Sequence, residues 1–385
     1  MLSLAAMLAV LSYANPASAE LKFGGDASVR LRSEFNDTEV NSVNSSTSEE
    51  LKFQYRIRLK ASADLGSGYF FKALVQSEET AAGSPVAGGW AEVGDGNKGA
   101  YNIEISNFYF GRVMEESHYQ IGRLPLNSFN NPIFDLAYYA VPSTGTGQFS
   151  SRVTAVDVPV ATWNFDRVFG LNYGTKVGNG DLNATLVVAN NNITTGNSHL
   201  EGDGLFDDGY LLHVAYKTTL GNVTVEPQAI IALTDLQSSF ILYNGSPMTP
   251  GGISPNVFGA NATIPAGKAK IGLSAFYTVC EDTDQNGDRG KVDYSGYLLR
   301  LKGESGPVMA WIDYSRTDDN SVDRVADSYD NLFVWAQYNV KVYESALGTF
   351  NVTPTIRYRA SSMDNAGTTT DFDQLRGELY ATVTF

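Results

Sequence analysis

The run Asp282-Thr283-Asp284-Gln285-Asn286-Gly287-Asp288 carries oxygen ligands at every second position. That spacing fits the D-x-[DN]-x-[DN]-G opening of a calcium loop, where side-chain oxygens converge on one ion and glycine permits the sharp turn. Two readings stay open. Asp282, Asp284, Asn286 and Asp288 hold Ca²⁺, or the run is an acidic, solvated loop tip. The second is favoured by Asp293, which stands where such loops place a bidentate Glu and where a new strand is expected to begin. No other cluster suggests bond-making chemistry. Cys280 is the lone cysteine, so no internal disulfide can form, and His118, His199 and His213 lie in no nucleophile–base motif. An enzyme is therefore not expected, and no cofactor is required beyond the candidate Ca²⁺.

Arginines form the second pattern. In ELKFQYRIRLKASADL, Leu51, Phe53, Tyr55, Ile57 and Leu59 alternate with Lys52, Gln54, Arg56, Arg58 and Lys60. The same alternation sets Arg30, Arg32, Arg357, Arg359 and Arg376 opposite aliphatic residues. Arginines packed this closely repel one another and are tolerable only in water or beside carboxylates. Either they line a water-filled interior, or they solvate the outer face of a soluble sheet.

The elements that must carry these residues are long strands. Period two persists over ten or more residues from Leu21, Leu51 and Ala269, and again in the final QLRGELYATVTF. Globular strands average about 5–6 residues, whereas strands that cross a bilayer at a tilt need about 9–11. Short turns such as Gly178–Asp181 and Gly303–Gly306 alternate with long polar loops such as Asn36–Glu49, Thr80–Gly99, Asn190–Asp208, Glu281–Gly290, Thr317–Ser328 and Met363–Thr370. Keeping long loops on one side requires 124–163 to be a single excursion. Strands are then expected near 20–35, 50–65, 68–79, 101–112, 117–123, 164–177, 181–190, 209–219, 222–233, 255–263, 267–279, 292–303, 306–316, 329–342, 348–361 and 372–385. The count is sixteen, an even number, and closure would leave no unpaired edge. The reading is all-β: a sixteen-stranded antiparallel transmembrane β-barrel spanning 20–385 as one domain.

Residues 1–19 have an apolar core ending in Ala17-Ser18-Ala19, which predicts a secretory signal peptide although the usual basic n-region is missing. A buried N-terminal helix is the alternative for this segment. The net charge of −15 gives no basis for nucleic-acid binding.

With the alternation, the export segment and the final strand ending in Phe385 on the page, the chain resembles the sixteen-stranded general diffusion porins of Gram-negative outer membranes. The resemblance covers the mature chain at the level of architecture. Locally, YQIGRLPL (Tyr119–Leu126) is similar to the strand leading into the constriction loop of those porins, which implies a constriction role for Arg123. The following excursion would be an inward-folded third loop, though it departs from the acidic motif of the family and offers chiefly Asp135 and Asp157. The resemblance further implies a homotrimer in the bacterial outer membrane, in contact with its lipid, passing small hydrophilic solutes and ions. The expected pore lining is Arg30, Arg32, Arg56, Arg58, Arg123, Asp135, Arg357, Arg359 and Arg376. A substrate-specific channel for sugars or anions is the alternative function, with Phe110, Trp311, Phe333 and Trp335 either forming a stacking slide or packing structurally. A secreted β-sandwich adhesin is a further alternative.

Overall fold

A computed structural model of the chain describes residues 20–78, 90–93, 102–133, 167–190, 208–234, 236–238, 242–243, 246–247, 251–282, 292–320 and 326–385. Sixteen antiparallel strands pair in sequence order. They are β1 (Glu20–Val40), β2 (Val43–Gly66), β3 (Tyr69–Glu78), β4 (Asn102–Val113), β5 (Ser117–Pro125), β6 (Arg167–Val177), β7 (Gly180–Asn190), β8 (Gly209–Leu220), β9 (Val223–Ala232), β10 (Asn256–Ala266), β11 (Ala269–Asp282), β12 (Val292–Ser305), β13 (Val308–Asp319), β14 (Ser328–Tyr338, continued by Val340–Ser345), β15 (Gly348–Asn365) and β16 (Thr368–Thr384). A two-residue piece, Ala91–Glu92, pairs with β2 beyond the end of β3.

The barrel closes between β16 and β1, in register from Asp26 opposite Thr384 to Val40 opposite Thr370. The ladder runs out at the last residue. Phe385 N donates to Gly25 O at 3.1 Å, and Gly25 N donates to Phe385 O at 2.8 Å. Glycine is needed at position 25, because a Cβ there would stand 3.0 Å from the Phe385 ring and closer still to the Arg58 carbonyl. Closure satisfies the backbone of every strand laterally, which a chain surrounded by lipid requires. A β-sandwich, with its open sheet edges, is excluded.

Side-chain parity follows from the register, since directly opposed residues in antiparallel strands share a face. One face is apolar and exposed, with Val29, Leu31, Ile57, Leu171, Leu273, Leu299, Leu301, Ile312, Ile356 and Leu379 forming a belt. Near the long-loop rim the belt turns aromatic, through Phe169, Phe258, Tyr277, Tyr314 and Tyr358. There Tyr314 Oη donates to Asp330 Oδ1 at 2.6 Å and Tyr358 Oη to Asp373 Oδ1 at 2.5 Å. Phe23, Tyr69, Tyr338, Tyr343 and Phe385 stand at the other rim. Aliphatic residues between two aromatic girdles are the outer surface that a membrane barrel needs.

The short turns are tight because glycine supplies the left-handed residue, with φ of 58° at Gly178, 63° at Gly221, 64° at Gly267 and 55° at Gly306. Two of the expected long loops are not loops. The segment 36–49 continues β1 and β2 to a turn at Asn41-Ser42 (φ 50° and 62°), and 363–370 continues β15 and β16 to a turn at Ala366-Gly367 (φ 49° and 85°). Above the bilayer both faces of a strand meet water, so alternation disappears while the backbone ladder goes on. The tips are tied together: Asn41 N donates to Thr369 O at 2.8 Å, and Thr369 N donates to Asn41 Oδ1 at 3.1 Å.

Candidate functional site: the inner wall of the barrel

The face opposite the lipid belt divides into two halves. Across β15, β16, β1 and β2 the inward positions are largely ionic. Arg357, Arg359, Arg376, Arg30, Arg32, Arg56 and Arg58 all lie there by register. Their carboxylate partners come from the same strands. Glu378 accepts Arg32 Nε at 2.6 Å, and forms ion pairs with Arg357, whose Nε lies 2.7 Å away, and with Arg30, whose Nη1 lies 3.5 Å away. Tyr380 Oη donates to its second oxygen at 2.7 Å and itself accepts from Arg357 Nη2 at 2.7 Å. Glu34 pairs with Arg376 at 2.6 Å. Asp26 takes Arg58 through Nε at 2.9 Å and Nη2 at 2.8 Å, with Arg56 at 3.7 Å and Lys60 at 4.0 Å. Arg359 donates to Ser361 Oγ at 2.8 Å and to Asn331 Oδ1 at 3.1 Å.

The order of charge along the closing seam is complementary. Arg32 faces Glu378 and Glu34 faces Arg376. A slip of two residues in one direction would set Glu34 against Glu378, and in the other Arg32 against Arg376. Inward polarity alone would accept either slip, because it preserves parity. The ion pairs do not.

Indole rings complete this half. Arg30 lies over the Trp90 ring at 4.1 Å from its centroid and Arg56 at 4.7 Å, while Trp90 meets Tyr380 edge-on at 5.6 Å. Arg357 lies 3.8 Å from the Trp335 centroid, Trp335 stacks on Trp311 at 4.6 Å, and Arg300 reaches the far ring at 5.5 Å. Guanidinium–indole contacts of this kind fix planar cations flat on a surface. They also occupy the ring faces, so Trp311 and Trp335 pack within the wall, beside Phe333. Phe110, by contrast, is opposed to Ile121 on the lipid side and is half exposed.

From β5 to β12 the inward face turns apolar toward the long-loop end. Leu124, Val168, Leu211, Ile230, Val257 and Leu298 form one buried cluster, the last two fully inaccessible. The chain leaving β5 packs against this half. Leu126–Phe129 makes a 3₁₀ turn, and Phe129 and Ile133 join the cluster. Phe129 stacks on His213 of β8 at 4.3 Å with the rings 14° apart. Gln228 of β9 donates to Phe129 O at 3.1 Å and Asn130 O at 3.3 Å, and accepts from Asn131 Nδ2 at 3.1 Å. Asn261 of β10 donates to Asn130 O at 2.6 Å. Residues 126–133 thus run along the inside of the barrel past β6 and β7.

Arg123 is not on the inner wall. It opposes Phe108 and Phe169, both lipid-facing, and donates to Ile105 O at 3.0 Å. Strand parity decides this: Leu124 is inward, so Arg123 must be outward, with its long stem along apolar neighbours and its head satisfied by a carbonyl. Asp135 and Asp157 lie outside the described residues, as do residues 1–19 and the 283–291 part of the calcium-like run; the side chain of Asp282 is likewise not described. Among the described residues, the carboxylates that answer the arginines of this half are Asp26, Glu34 and Glu378. Alternation gives only the face each one lies on, and pairing register is what brings them to the arginines. Trp90 was missed because it falls in an expected loop.

No protein-family model matches the sequence, and no curated protein does. Among solved structures the chain is similar in fold to the outer-membrane channel DcaP of Acinetobacter baumannii, with a TM-score of 0.54 and 11% identity over 96% of this chain and 99% of that one. It is also similar to OmpT, an outer membrane protein of Vibrio cholerae. The loop L8 deletion form gives a TM-score of 0.51 and the in-vitro folded trimer form 0.50, each at 11% identity over 94% of this chain and 99% of that one. Fold and lipid belt together make this chain a bacterial outer-membrane barrel.

Proposed function

We propose that the protein is a water-filled channel for passive diffusion of small hydrophilic solutes and ions. The observation that carries this reading is the inner wall of β15, β16, β1 and β2, where arginines and carboxylates are paired inside a closed barrel whose outside is apolar. Charged groups at membrane depth need water or partners, and a lumen supplies the water. Arg58, 29% exposed, takes up Asp26, while Lys60, with its side chain 57% exposed, and Arg56 stand at the edge of that pair. Their excess over Asp26 supports a weak anion preference rather than strict selection. The inward course of 126–133 supports an excursion that narrows the lumen. The Vibrio cholerae barrel is described in a trimer form, and a homotrimer is the assembly proposed for this chain. Purified, refolded protein in planar bilayers is expected to give discrete conductance steps with a modest anion preference. A bilayer that stays silent, or a barrel without heat-modifiable gel mobility, would refute the reading.

Calcium binding by Asp282, Asp284, Asn286 and Asp288 is a separate proposal, in which the ion stiffens a loop on the long-loop side. Isothermal titration should register Ca²⁺ binding that Asp284→Ala abolishes. Equal heats from both proteins would reject it.

A further inference from the structure

Resting on the channel reading, we infer that Glu378 is the positioning residue that sets how much of the arginine wall a permeating ion meets. Three observations converge on it. Its side chain is fully inaccessible, so it does not touch solutes itself. It contacts arginines from both neighbouring strands: Arg30 and Arg32 on β1 and Arg357 on β15. Its second oxygen also accepts the Tyr380 hydroxyl, which in turn receives hydrogen bonds from Arg357 at 2.7 Å and Arg30 at 3.2 Å. One carboxylate and one phenol therefore hold three guanidiniums down.

The rings finish the restraint, Trp90 beneath Arg30 and Trp335 beneath Arg357. Accessibility is low wherever a seam carboxylate holds its arginines closely. The side chains of Arg30, Arg32 and Arg357 on Glu378 are 4%, 11% and 9% exposed and that of Arg376 on Glu34 is 7%, against 29% for Arg58, which shares Asp26 with two other cations. Removing the charge of Glu378 adds one net positive charge to the wall and releases three donors that carry much of its cationic density.

Ion selectivity of Glu378→Gln, read as reversal potential in planar bilayers under a KCl gradient, tests this. The chloride-to-potassium permeability ratio is expected to rise roughly twofold: one additional positive charge about 8 Å away in water, screened at about 0.1 M salt, favours the anion and disfavours the cation by about 1.5-fold each. Glu378→Asp, which keeps the charge, should stay near the wild-type ratio even if it folds less well, whereas a purely structural role would make both variants alike. Conducting Glu378→Gln channels with an unchanged ratio would overturn the proposal while leaving the channel reading intact. A silent wild type would overturn both. If Glu378→Gln does not fold, phenylglyoxal modification of the wild type decides. Arg30, Arg32 and Arg357 should react more slowly than Arg58, and equal rates would overturn the assignment.

Discussion

The two halves of the inner wall solve the same problem by opposite means. Across β15, β16, β1 and β2, inward residues are charged and find partners on adjacent strands, so Asp26, Glu34 and Glu378 offset part of the arginines' charge. From β5 to β12, near the long-loop end, inward residues are apolar and bury themselves in a cluster that 126–133 joins. Burying an ion pair gains little net stability, because desolvation offsets attraction. Apolar burial stabilises outright at about 25 cal/mol per Å². The apolar half is thus suited to anchoring the chain inside the barrel, and the ionic half to defining register and presenting charge to the lumen.

The contrast can be broken most severely at the seam. Glu34→Arg would set a second guanidinium against Arg376 in a nearly inaccessible site and cost about 3–5 kcal/mol, the range for breaking a buried pair. Loss of the heat-modifiable band is expected, with recovery in the swapped Glu34→Arg/Arg376→Glu protein. No recovery would show that charge order does not define closure. On the apolar half, Gln228→Ala removes the donor to the Phe129 carbonyl, while Asn130 O keeps Asn261, and should cost about 1–3 kcal/mol. Here the expected signature is noisier conductance from a loosened 126–133, with ion selectivity unmoved.

Salt separates the halves more gently. Raising ionic strength from about 0.1 M to 1 M shortens the screening length from about 10 Å to 3 Å. The permeability ratio should fall toward that of free solution, while the conductance noise of Gln228→Ala should not respond. The smallest effect belongs to Arg123. Because it faces lipid, Arg123→Gln should leave the permeability ratio within error of wild type, whereas Arg58→Gln should lower it measurably. Equal shifts would return Arg123 to the lumen.

Much of the fold was legible in the residues. Alternation located all sixteen strands within a few residues, apart from the hairpin extensions, and long-versus-short parity placed the excursion after β5 correctly. The inward face was legible for Arg30, Arg56, Arg357 and Arg376. Arg123 was misread because its role came from resemblance rather than from the parity of Leu124 beside it. A signal for the apolar half did exist. GYLLHVAY, SAFYTVC and GYLLRL are apolar at consecutive positions, which means that their inner face is covered rather than wet.

Sequence by itself determined what is periodic: strand length, the lipid face, the sense of each turn and the arginines' side of the sheet. Each follows from chain neighbours two residues apart, and no distant partner is needed. Only the tertiary structure decided which carboxylate meets which arginine, that Trp90 lies beneath Arg30, and that Phe129 lands on His213. Those contacts join residues tens to hundreds of positions apart, and they depend on a register that closure imposes all at once. Parity can say that Glu378 faces inward, but only the closed ring of strands brings three arginines to it.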